Sequence, residues 1–423
     1  MSTSTTGTTS TTRTHRSQAL GPAGTERLGE LGALALRGLP LGYLAQEREL
    51  AQTVRAVRSP GGVTVRAEGR NPRYTAIVAL GLSRWPEADQ RSALGDTTTA
   101  AGLAVGVAAR ASRFTDPGAV ALAVWAAAEV AGEVDPALLD RLVQHLGQDP
   151  ALPTVDTAWM LTAALAAGRV AGWSAQVTTV VEAAHRRLRE AQGPQGLFPH
   201  ALPAASLGRW RAHVGCFADQ VYPIQALARL AAATGDRSAL EAADRCAARI
   251  VELQGAAGQW WWHYDARDGT VVEGFPVYSV HQHAMAPMAL LDLHEAGGAD
   301  HTAAVGRGLD WLDTHPEVLE ELVSPRYGLV WRKVGRREPP KAARKLSAVT
   351  TSLSPGLRLP GLDAVLPPTV VDHECRPYEM GWLLYAWWSG GVVRALVPGG
   401  ADAPGTDGTD GTDSTDSTAG EQS

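Results

Sequence analysis

Three residues that lie far apart in the sequence have side chains suited to acid/base chemistry. Asp219 lies in FADQVYPIQAL (217–227), His281 in SVHQHAMAPMAL (279–290) and Glu379 in RPYEMGWLL (376–384). Positioned acids and bases of this kind move protons in the hydrolysis, elimination and epimerisation of sugars. We therefore predict that Asp219, His281 and Glu379 are catalytic residues of an enzyme that acts on a carbohydrate or glycoconjugate.

An internal repeat connects two of these residues. Residues 217–236 align without gaps to residues 279–298, and the same offset of 62 carries QGPQGLF (192–198) onto QGAAGQW (254–260). A period near 60 residues corresponds to two helices and their connections. In this alignment Asp219 matches His281, and the following Gln220 matches Gln282. The repeat therefore predicts that the matched positions face one cavity.

The spacing of possible metal ligands argues against a metal ion. His281 and His283 are two positions apart, and such residues point about 200° apart on a helix, so one face cannot offer both to one ion. We expect His283 to support His281. The group at 372–375 is crowded into four consecutive residues, and the three cysteines lack the spacing of a zinc site. The sequence predicts no metal and no cofactor.

The elements that must position these residues are helices of two alternating kinds. Amphipathic segments suit the outside of a helical assembly, whereas segments that are apolar around most of their circumference suit its interior. Outer helices are predicted at 44–59, 88–112, 135–148, 173–192, 236–254 and 300–315. Inner helices are predicted at 73–82, 117–132, 155–168, 218–235, 280–298 and 376–391. Twelve helices in this alternation indicate an all-α fold, an (α/α)6 toroid.

The two ends of the sequence differ from its body because they contain no apolar run to bury. We predict a disordered N-terminal tail (1–20), a single toroid domain (21–397) and a disordered acidic C-terminal tail (398–423). The net charge is −6, and it falls to −2 when the six acids after Pro398 and the two arginines before Ser17 are set aside. A nearly neutral body argues against a nucleic-acid partner.

The lengths of the apolar runs and the number of cysteines predict where in the cell the protein lies. No stretch reaches eighteen apolar residues, so no membrane span is predicted. The cysteine count is odd, which fits reduced thiols. We therefore expect a cytoplasmic protein, while the sequence leaves the oligomeric state open.

The starts of the inner helices should line the mouth of a central cavity. Their aromatic rings and polar groups suit a hydroxylated ligand, whose faces stack and whose hydroxyls form hydrogen bonds. The segment 331–345 is rich in arginine and lysine, and guanidinium groups match the carboxylates or phosphates of an anionic substrate. The predicted substrate-binding residues are Tyr74, Asp156, Gln220, Tyr222, Trp262, Tyr278, Gln282, His283, Tyr378, Trp382, Arg332 and Arg336.

The repeated element Gln192-x3-Gly196-x-Phe198, with its second copy at 254–260, resembles the QW motif of the terpenoid cyclase and protein prenyltransferase superfamily. SPRYGLVW (324–331) is similar to a third copy without the Gln. In that superfamily the Gln caps a helix end and the aromatic residue packs on it. The resemblance implies an α/α toroid, an architecture shared with (α/α)6 glycan-active enzymes.

Two other functions stay open beside the carbohydrate enzyme. The first is an atypical terpenoid cyclase or prenyltransferase-like enzyme that lacks the Asp-x-Asp-Asp motif, since PTVDTAW (153–159) has Val155 where that motif places its proton donor. The second is a non-catalytic glycan-binding toroid. The polar cavity lining favours a sugar over a hydrocarbon, because unpaired buried polar groups are costly.

Overall fold

The computed structural model describes residues 16–60, 62–339 and 341–398. These residues form two concentric rings of helices, which confirms the predicted (α/α)6 toroid. Most of the two predicted tails, residues 1–15 and 399–423, lies outside the described residues. Among the described helices, none combines the length and the apolar character that crossing a bilayer requires.

The outer helices are amphipathic, and each buries one face against the inner ring. They are α1 (Gly21–Gly38), α4 (Ala100–Ala111), α6 (Pro136–Gln148), α8 (Ala175–Ala191), α10 (Arg237–Glu252) and α12 (Thr302–Thr314). The inner helices are buried on almost all sides. They are α2 (Pro72–Leu82), α5 (Pro117–Ala126), α7 (Thr154–Ala171), α9 (Ala218–Thr234), α11 (Ala286–Glu295) and α15 (Pro377–Trp388). Each inner helix packs on the next, and α15 packs on α2 to close the ring.

Shorter helical segments complete the rings. A π-helical turn, Ala127–Ala131, extends α5, and another, His281–Met285, leads into α11. The remaining α-helices are α3 (Glu87–Ala93), α13 (Ala342–Leu353) and α14 (Leu362–Val365), and the 3-10 turns are Arg16–Leu20, Leu39–Gly42, Ala204–Leu207 and Arg394–Leu396. Several helices start at a short polar side chain followed by proline. Asn71, Asp116 and Asp135 each accept a hydrogen bond from a backbone N–H of the first turn, as such N-cap residues do.

Short antiparallel strands connect the loops. They are β1 (Tyr43–Leu44), β2 (Glu49–Leu50), β3 (Thr53–Ser59), β4 (Gly62–Glu68), β5 (Leu152–Pro153), β6 (Ala201–Leu202), β7 (Val214–Cys216), β8 (His263–Asp265), β9 (Val271–Glu273), β10 (Val277–Tyr278), β11 (Val323–Ser324), β12 (Leu329–Val330), β13 (Lys333–Gly335), β14 (Val370–Asp372) and β15 (Glu374–Cys375). The three-stranded sheets have the orders β15-β3-β4, β7-β8-β9 and β10-β13-β14. The strands β5, β7, β10 and β15 directly precede inner helices, so their pairing fixes where those helices begin.

One predicted outer helix is wrong. Residues 44–59 form strands, and β3 pairs with β4 in a hairpin that also pairs with β15. In this segment the apolar Val54 and Ala56 alternate with the polar Thr53 and Arg55, which is the period of a strand. The sixth outer helix is instead α1, a segment for which the sequence analysis predicted no helix. It packs against α15.

The repeat is built from equivalent hydrogen bonds. Gln192 Nε2 donates to the carbonyl of Ala242 in α10 at 2.8 Å, and Gln254 Nε2 donates to that of Ala304 in α12 at 2.9 Å. Each Gln side chain also donates to the carbonyl of the motif glycine, Gly196 or Gly258. Each glutamine therefore ties the end of one outer helix to the next outer helix of the ring.

The glycines of the motif allow the same close approach. A Cβ atom on Gly196 or Gly258 would overlap the backbone of Arg245 in α10 or Arg307 in α12, and both glycines have a positive φ. Gly328, in the third motif copy, lies close to the end of α1, where an added Cβ would come within 3.2 Å of the Gly38 nitrogen. The three loops thus dock on α10, α12 and α1 in turn, which explains how α1 completes the outer ring.

Charged groups fill the ring at the carboxy-terminal ends of the inner helices. Arg229 of α9 donates to Asp292 of α11 at 2.7 Å and to the hydroxyl of Tyr385 of α15 at 2.8 Å. Glu129, beyond α5, accepts from Arg84 and from Tyr385. Burial alone would raise the pKa of Glu129, but Arg84 and Arg229 lower it overall. The cluster therefore holds ionised groups.

Arg16 belongs to this charged cluster, which corrects the predicted boundary of the N-terminal tail. Its guanidinium contacts Asp292 at 2.6 Å and Glu295 at 2.7 Å, and the side chain is only 4% exposed. Residues 16–20 form a turn that packs on α1, α12 and α15. They belong to the toroid because the surplus of buried acid at Asp292 and Glu295 needs a cation.

We expect Arg16→Met to lower the free energy of unfolding by about 3 kcal/mol, because buried Glu295 loses its cation and Asp292 keeps only Arg229. Urea denaturation of the full chain measures this. The matched control is Arg27→Met, since Arg27 pairs with Asp313 and Glu30 at the surface. That change should cost less than about 1 kcal/mol. Equal losses in the two variants would contradict a buried role for Arg16.

Gly258→Ala should destabilise the chain by at least about 2 kcal/mol more than Gly297→Ala. Both glycines have a φ near +90°, so the backbone strain of the substitution is similar. Only the new methyl at 258 meets a neighbour, the backbone of Arg307, while nothing lies within 4 Å at 297. Thermal unfolding of the two variants side by side checks this; equal melting temperatures would show that the close approach to α12 contributes nothing.

Candidate active site

A cavity of about 390 Å³ lies where the first turns of the inner helices meet, and we call it the central cavity. Its residues come from the starts of α2, α7, α9 and α15, from the π turn before α11 and from the loops beside them. They are Asn71, Arg73, Tyr74, Ile77, Val155, Trp159, Ala218, Tyr222, Trp262, Tyr278, His281, Met285, Arg332 and Tyr378. The list includes the predicted residues Tyr74, Tyr222, Trp262, Tyr278, His281, Arg332 and Tyr378.

Aromatic rings form most of the wall. The rings of Tyr74 and Tyr378 lie 4.7 Å apart, and those of Trp262 and Tyr278 lie 4.6 Å apart. The indole nitrogen of Trp262 is buried and has no hydrogen-bond partner in the described chain. Such walls bind ring-shaped ligands through their faces, and the free nitrogen offers a donor to a hydroxyl.

His281 is held between rings. Its imidazole lies 4.4 Å from the ring of Phe217 and stacks on Trp262 with an angle of 7° between the planes. Burial lowers its pKa to about 3, so the ring is neutral at physiological pH. Its Nδ1 has no hydrogen-bond partner among the described residues. A neutral imidazole of such low basicity is suited to hydrogen bonding rather than to taking up a proton.

Arg73 links the cavity to two carboxylates. Its guanidinium lies 5.2 Å from the ring centroid of Trp159, contacts Asp156 at 3.1 Å and also pairs with Asp116. Burial raises the pKa of Asp156 to about 6, with Asp116 and Asp219 adding to the effect and Arg73 opposing it. Asp156 therefore changes its charge near neutral pH, as catalytic acids often do.

A second arginine and carboxyl form a similar pair. Arg332 lies 4.9 Å from the ring of Tyr278, and its Nε donates to Glu379 at 3.2 Å. Burial raises the pKa of Glu379 to about 7, although Arg332 and the backbone N–H of Arg376 favour its charged form. The cavity thus has an arginine on its wall beside each of two carboxyl groups that titrate near neutrality.

Asp219 does not line the central cavity with His281, although the repeat predicted that the matched positions face one cavity. Its carboxylate accepts from His200 Nδ1 at 2.9 Å and from the backbone N–H of Cys216 at 2.7 Å. No hydrogen bond joins it to His281 in the described chain, because the ring of Phe217 lies against that histidine. The hydrogen bond and the charge of Asp219 raise the pKa of His200.

Within the described ranges, one group of side chains has the spacing to hold a metal ion. The ligand atoms of His200, Cys216 and Asp219 all lie within 4.8 Å of one another. Burial and the charge of Asp219 raise the pKa of the Cys216 thiol, so the thiolate that a metal requires is disfavoured. His200 and Asp219 already bind each other, which makes them an acid/base pair as they stand.

Gln220 and Gln282, both predicted to bind substrate, hold backbone groups instead. Gln220 accepts from the backbone N–H of Phe198 at 2.8 Å, and Gln282 accepts from that of Trp260 at 3.2 Å. Neither lines the central cavity. The prediction is corrected because a buried amide that is saturated by the backbone has no group left for a ligand.

Four further predicted contacts also do not line the central cavity, and one of them, Asp156, is connected to it only through Arg73. His283 is buried behind it, and burial lowers its pKa to about 3. Trp382 donates to the hydroxyl of Tyr222 at 2.8 Å and supports that wall residue from behind. Arg336 pairs with Glu273 at 2.9 Å and with Asp363, which fixes the loop before α13. Their burial or pairing explains why they do not reach a ligand there.

Sequence reasoning missed the role of Arg73. It precedes Tyr74, which was selected because it begins an inner helix, and the same argument would have included Arg73. Trp159 was not among the predicted substrate-binding residues, yet it lines the cavity, and its indole nitrogen has no hydrogen-bond partner in the described chain.

No protein-family model matches the sequence, and a search of curated proteins finds no relative. Solved structures match at fold level. An unsaturated glucuronyl hydrolase specific for heparin is 14% identical, with a TM-score of 0.50 over 88% of this chain and 99% of the other. The unsaturated glucuronyl hydrolase of Bacillus sp. GL1 is 12% identical, with a TM-score of 0.50 over 88% and 98%.

A possible member of the GH105 family from Salmonella enterica serovar Paratyphi A is 11% identical, with a TM-score of 0.50 over 87% of this chain and 94% of the other. At such low identity the likeness shows the α/α-toroid fold. It does not show a terpenoid cyclase-like fold, so that part of the predicted resemblance has no support from these structures.

The raised pKa of Asp156 predicts a pH dependence of stability. The carboxyl keeps its proton up to about pH 6 in the folded chain but loses it near 3.8 when unfolded. The contribution of Asp156 to stability is therefore complete below pH 3.8, the pKa in the unfolded chain. As the pH rises through about 6, the pKa in the folded chain, up to about 3 kcal/mol of stability is lost. Asp156→Asn should lose less stability than the parent chain between pH 4 and pH 7.

Urea denaturation at a series of pH values measures this difference. Asp135→Asn is the matched control, because Asp135 caps α6 at the surface. Its stability should follow the parent chain across the series. If Asp156→Asn also runs parallel to the parent chain, the carboxyl does not retain its proton in the fold.

Proposed function

We propose that the chain is an enzyme that acts on a carbohydrate, with the sugar ring bound in the central cavity. The observation that carries this is the cavity itself: aromatic walls with unpaired polar atoms, flanked by two carboxyl groups that titrate near neutrality. Sugar rings stack on aromatic faces, and their hydroxyls satisfy polar atoms that would otherwise be buried without a partner.

The unpaired polar atoms and the two carboxyl groups also argue against the two alternative functions. A hydrocarbon would leave the nitrogens of Trp159, Trp262 and His281 unpaired, at a cost of about 1–3 kcal/mol each. A toroid that only binds glycans has no use for carboxyl groups whose pKa values are shifted toward neutrality. Acid/base catalysis on a sugar accounts for both features.

The substrate that we propose carries a negative charge. Arg73 and Arg332 both reach the cavity wall, and each is already paired to a carboxylate. Arg73 remains paired with Asp116, but when Glu379 takes up a proton Arg332 keeps only a 4.0 Å contact with Glu374 and loses its close counter-charge. A sugar carboxylate would replace it, in the forked geometry that guanidinium groups favour.

In this mechanism Asp156 is the proton donor. A carboxyl with a pKa of about 6 is partly protonated at neutral pH and can protonate a departing oxygen. Asp219 accepts from Nδ1 of His200, and because His200 does not line the central cavity this pair takes no part in the proton transfer there. Glu379, beside the wall residue Arg332, is the second acid/base group, and neutral His281 positions the sugar by hydrogen bonding. Hydrolysis, elimination and epimerisation all fit this set of groups.

The test is turnover of a panel of neutral and uronate-containing oligosaccharides, followed by mass spectrometry of the products. Asp156→Asn should reduce kcat/KM at least about 100-fold, because general acid catalysis contributes that much. Activity of the parent chain should fall as the pH rises above about 6, where Asp156 loses its proton. Asp135→Asn, a surface helix cap, should retain full activity.

Two results would contradict the proposal in different ways. Full activity of Asp156→Asn on a substrate that the parent chain converts would remove Asp156 from the mechanism. A folded parent chain that neither binds nor converts any saccharide of the panel would remove the carbohydrate function.

A further inference from the structure

A second cavity, of about 260 Å³, adjoins the central cavity, and Trp262 lines both. We call it the basic pocket. Its lining combines two histidines with four cationic side chains from two loops and the start of α13. The residues are His200, Arg211, Val214, Cys216, Trp262, His263, Lys341, Arg344, Lys345 and Ala348.

The sheet β7-β8-β9 holds α13 at this pocket. Ala348 of α13 packs with Val214 and Val272 of the sheet. Thr351 forms a 2.9 Å hydrogen bond with Nε2 of His213, and its carbonyl accepts from Arg267 at 2.6 Å. The anchored helix fixes the positions of the cations at its start. They belong to a built wall rather than to a free loop.

The four cations of the basic pocket lack the partners that neighbouring cations have. In the described parts of the chain, no carboxylate lies within ion-pair distance of Arg211, Lys341, Arg344 or Lys345. Lys333, in the same basic segment, pairs with Asp372 at 2.7 Å. Glu338, the nearest acid in sequence, caps the start of α13 through the backbone N–H of Ala343. The pocket therefore keeps an excess of positive charge.

A buried polar atom also faces this pocket without a partner. His263 is only 7% exposed, and its Nδ1 has no hydrogen-bond partner in the described residues. The guanidinium of Arg344 lies 5.8 Å from the ring of Trp262, and its Nε is likewise buried and unpaired. Buried polar groups are rarely left unsatisfied, and here a ligand in the pocket would satisfy them.

We propose that the basic pocket binds an oxyanion, a carboxylate or a sulfate ester, on the sugar residue next to the one in the central cavity. Four positive charges attract an anion and repel a metal cation. Trp262 lies between the two cavities and would contact both sugar residues. This inference rests on the proposed carbohydrate function and specifies its substrate class as a glycan with charge on adjacent residues.

The sequence supplies a direct probe of this pocket. The chain has three lysines, Lys333, Lys341 and Lys345. Two line the basic pocket and are exposed, whereas Lys333 pairs with Asp372 outside it. Reductive methylation of the full chain, followed by mass spectrometry, therefore reports occupancy at two sites with an internal reference at the third.

The probes are a neutral cello-oligosaccharide, an oligogalacturonate, a sulfated glucuronate-containing oligosaccharide and inorganic sulfate. We expect the two anionic oligosaccharides to slow methylation of Lys341 and Lys345 at least 5-fold and to leave Lys333 unchanged. Stronger protection by one of the two distinguishes a carboxylate from a sulfate ester. The neutral oligosaccharide should give no protection.

Variants make the assignment specific. Arg344→Ala should weaken binding of the anionic oligosaccharides about 10-fold, and Arg344→Lys should recover part of that loss. Arg337→Ala is the matched control, because Arg337 lies exposed in the same segment but outside the pocket. Its affinity should stay within 2-fold of the parent chain, as should the affinity of Arg344→Ala for the neutral oligosaccharide.

Three other outcomes would each contradict one part of the proposal. If saccharides bind without protecting the lysines, or Arg344→Ala equals Arg337→Ala, the basic pocket is not the oxyanion site and the proposed function stands. If inorganic sulfate protects both lysines as well as any oligosaccharide does, the pocket does not recognise a glycan. If no saccharide binds the parent chain, the carbohydrate function itself fails.

Discussion

A buried cluster of charged side chains joins the carboxy-terminal ends of the inner helices. The central cavity, at the other end of the toroid, depends on this cluster to keep the helices in place. Arg229 reaches from α9 to Asp292 on α11 and to Tyr385 on α15, while Glu129 connects the end of α5. Removing one member of such a cluster strands the others in a medium of low polarity, which costs several kcal/mol. The inner helices must therefore keep their positions relative to one another along the axis of the toroid.

The central cavity lies at the opposite end of the ring, where the inner helices begin. Helix amino termini carry partial positive charge, so four of them around one cavity favour an anionic ligand. The same field favours ionised carboxylates, yet the pKa values of Asp156 and Glu379 are raised. Burial therefore outweighs both the helix ends and the adjacent arginines, and this balance keeps a proton available at neutral pH.

The predictable part of the fold followed from periodicity. Six segments that are apolar all round can only be inner helices, and all six appear as predicted. The β3-β4 hairpin was misread because its charged residues also fit a helical face. Helix α1 was missed because nothing local marks residues 21–38 as the partner of α15, more than 330 residues away. The site was predictable only as far as helix starts identify a cavity wall; the pairing of Asp219 with His200 depends on a loop whose path the sequence does not specify.

The repeat explains why that pairing was missed and what it means. At the offset of 62 residues, His200 matches Trp262 just as Asp219 matches His281. The two residues of each matched pair are in contact. His200 and Asp219 form a hydrogen bond of 2.9 Å, and the rings of Trp262 and His281 stack in parallel with their centroids 5.8 Å apart. One hairpin architecture thus places a polar pair in one copy and an aromatic pair in the other. His200 of the polar copy lines the basic pocket and His281 of the aromatic copy lines the central cavity, so matched hairpins contribute to two neighbouring cavities.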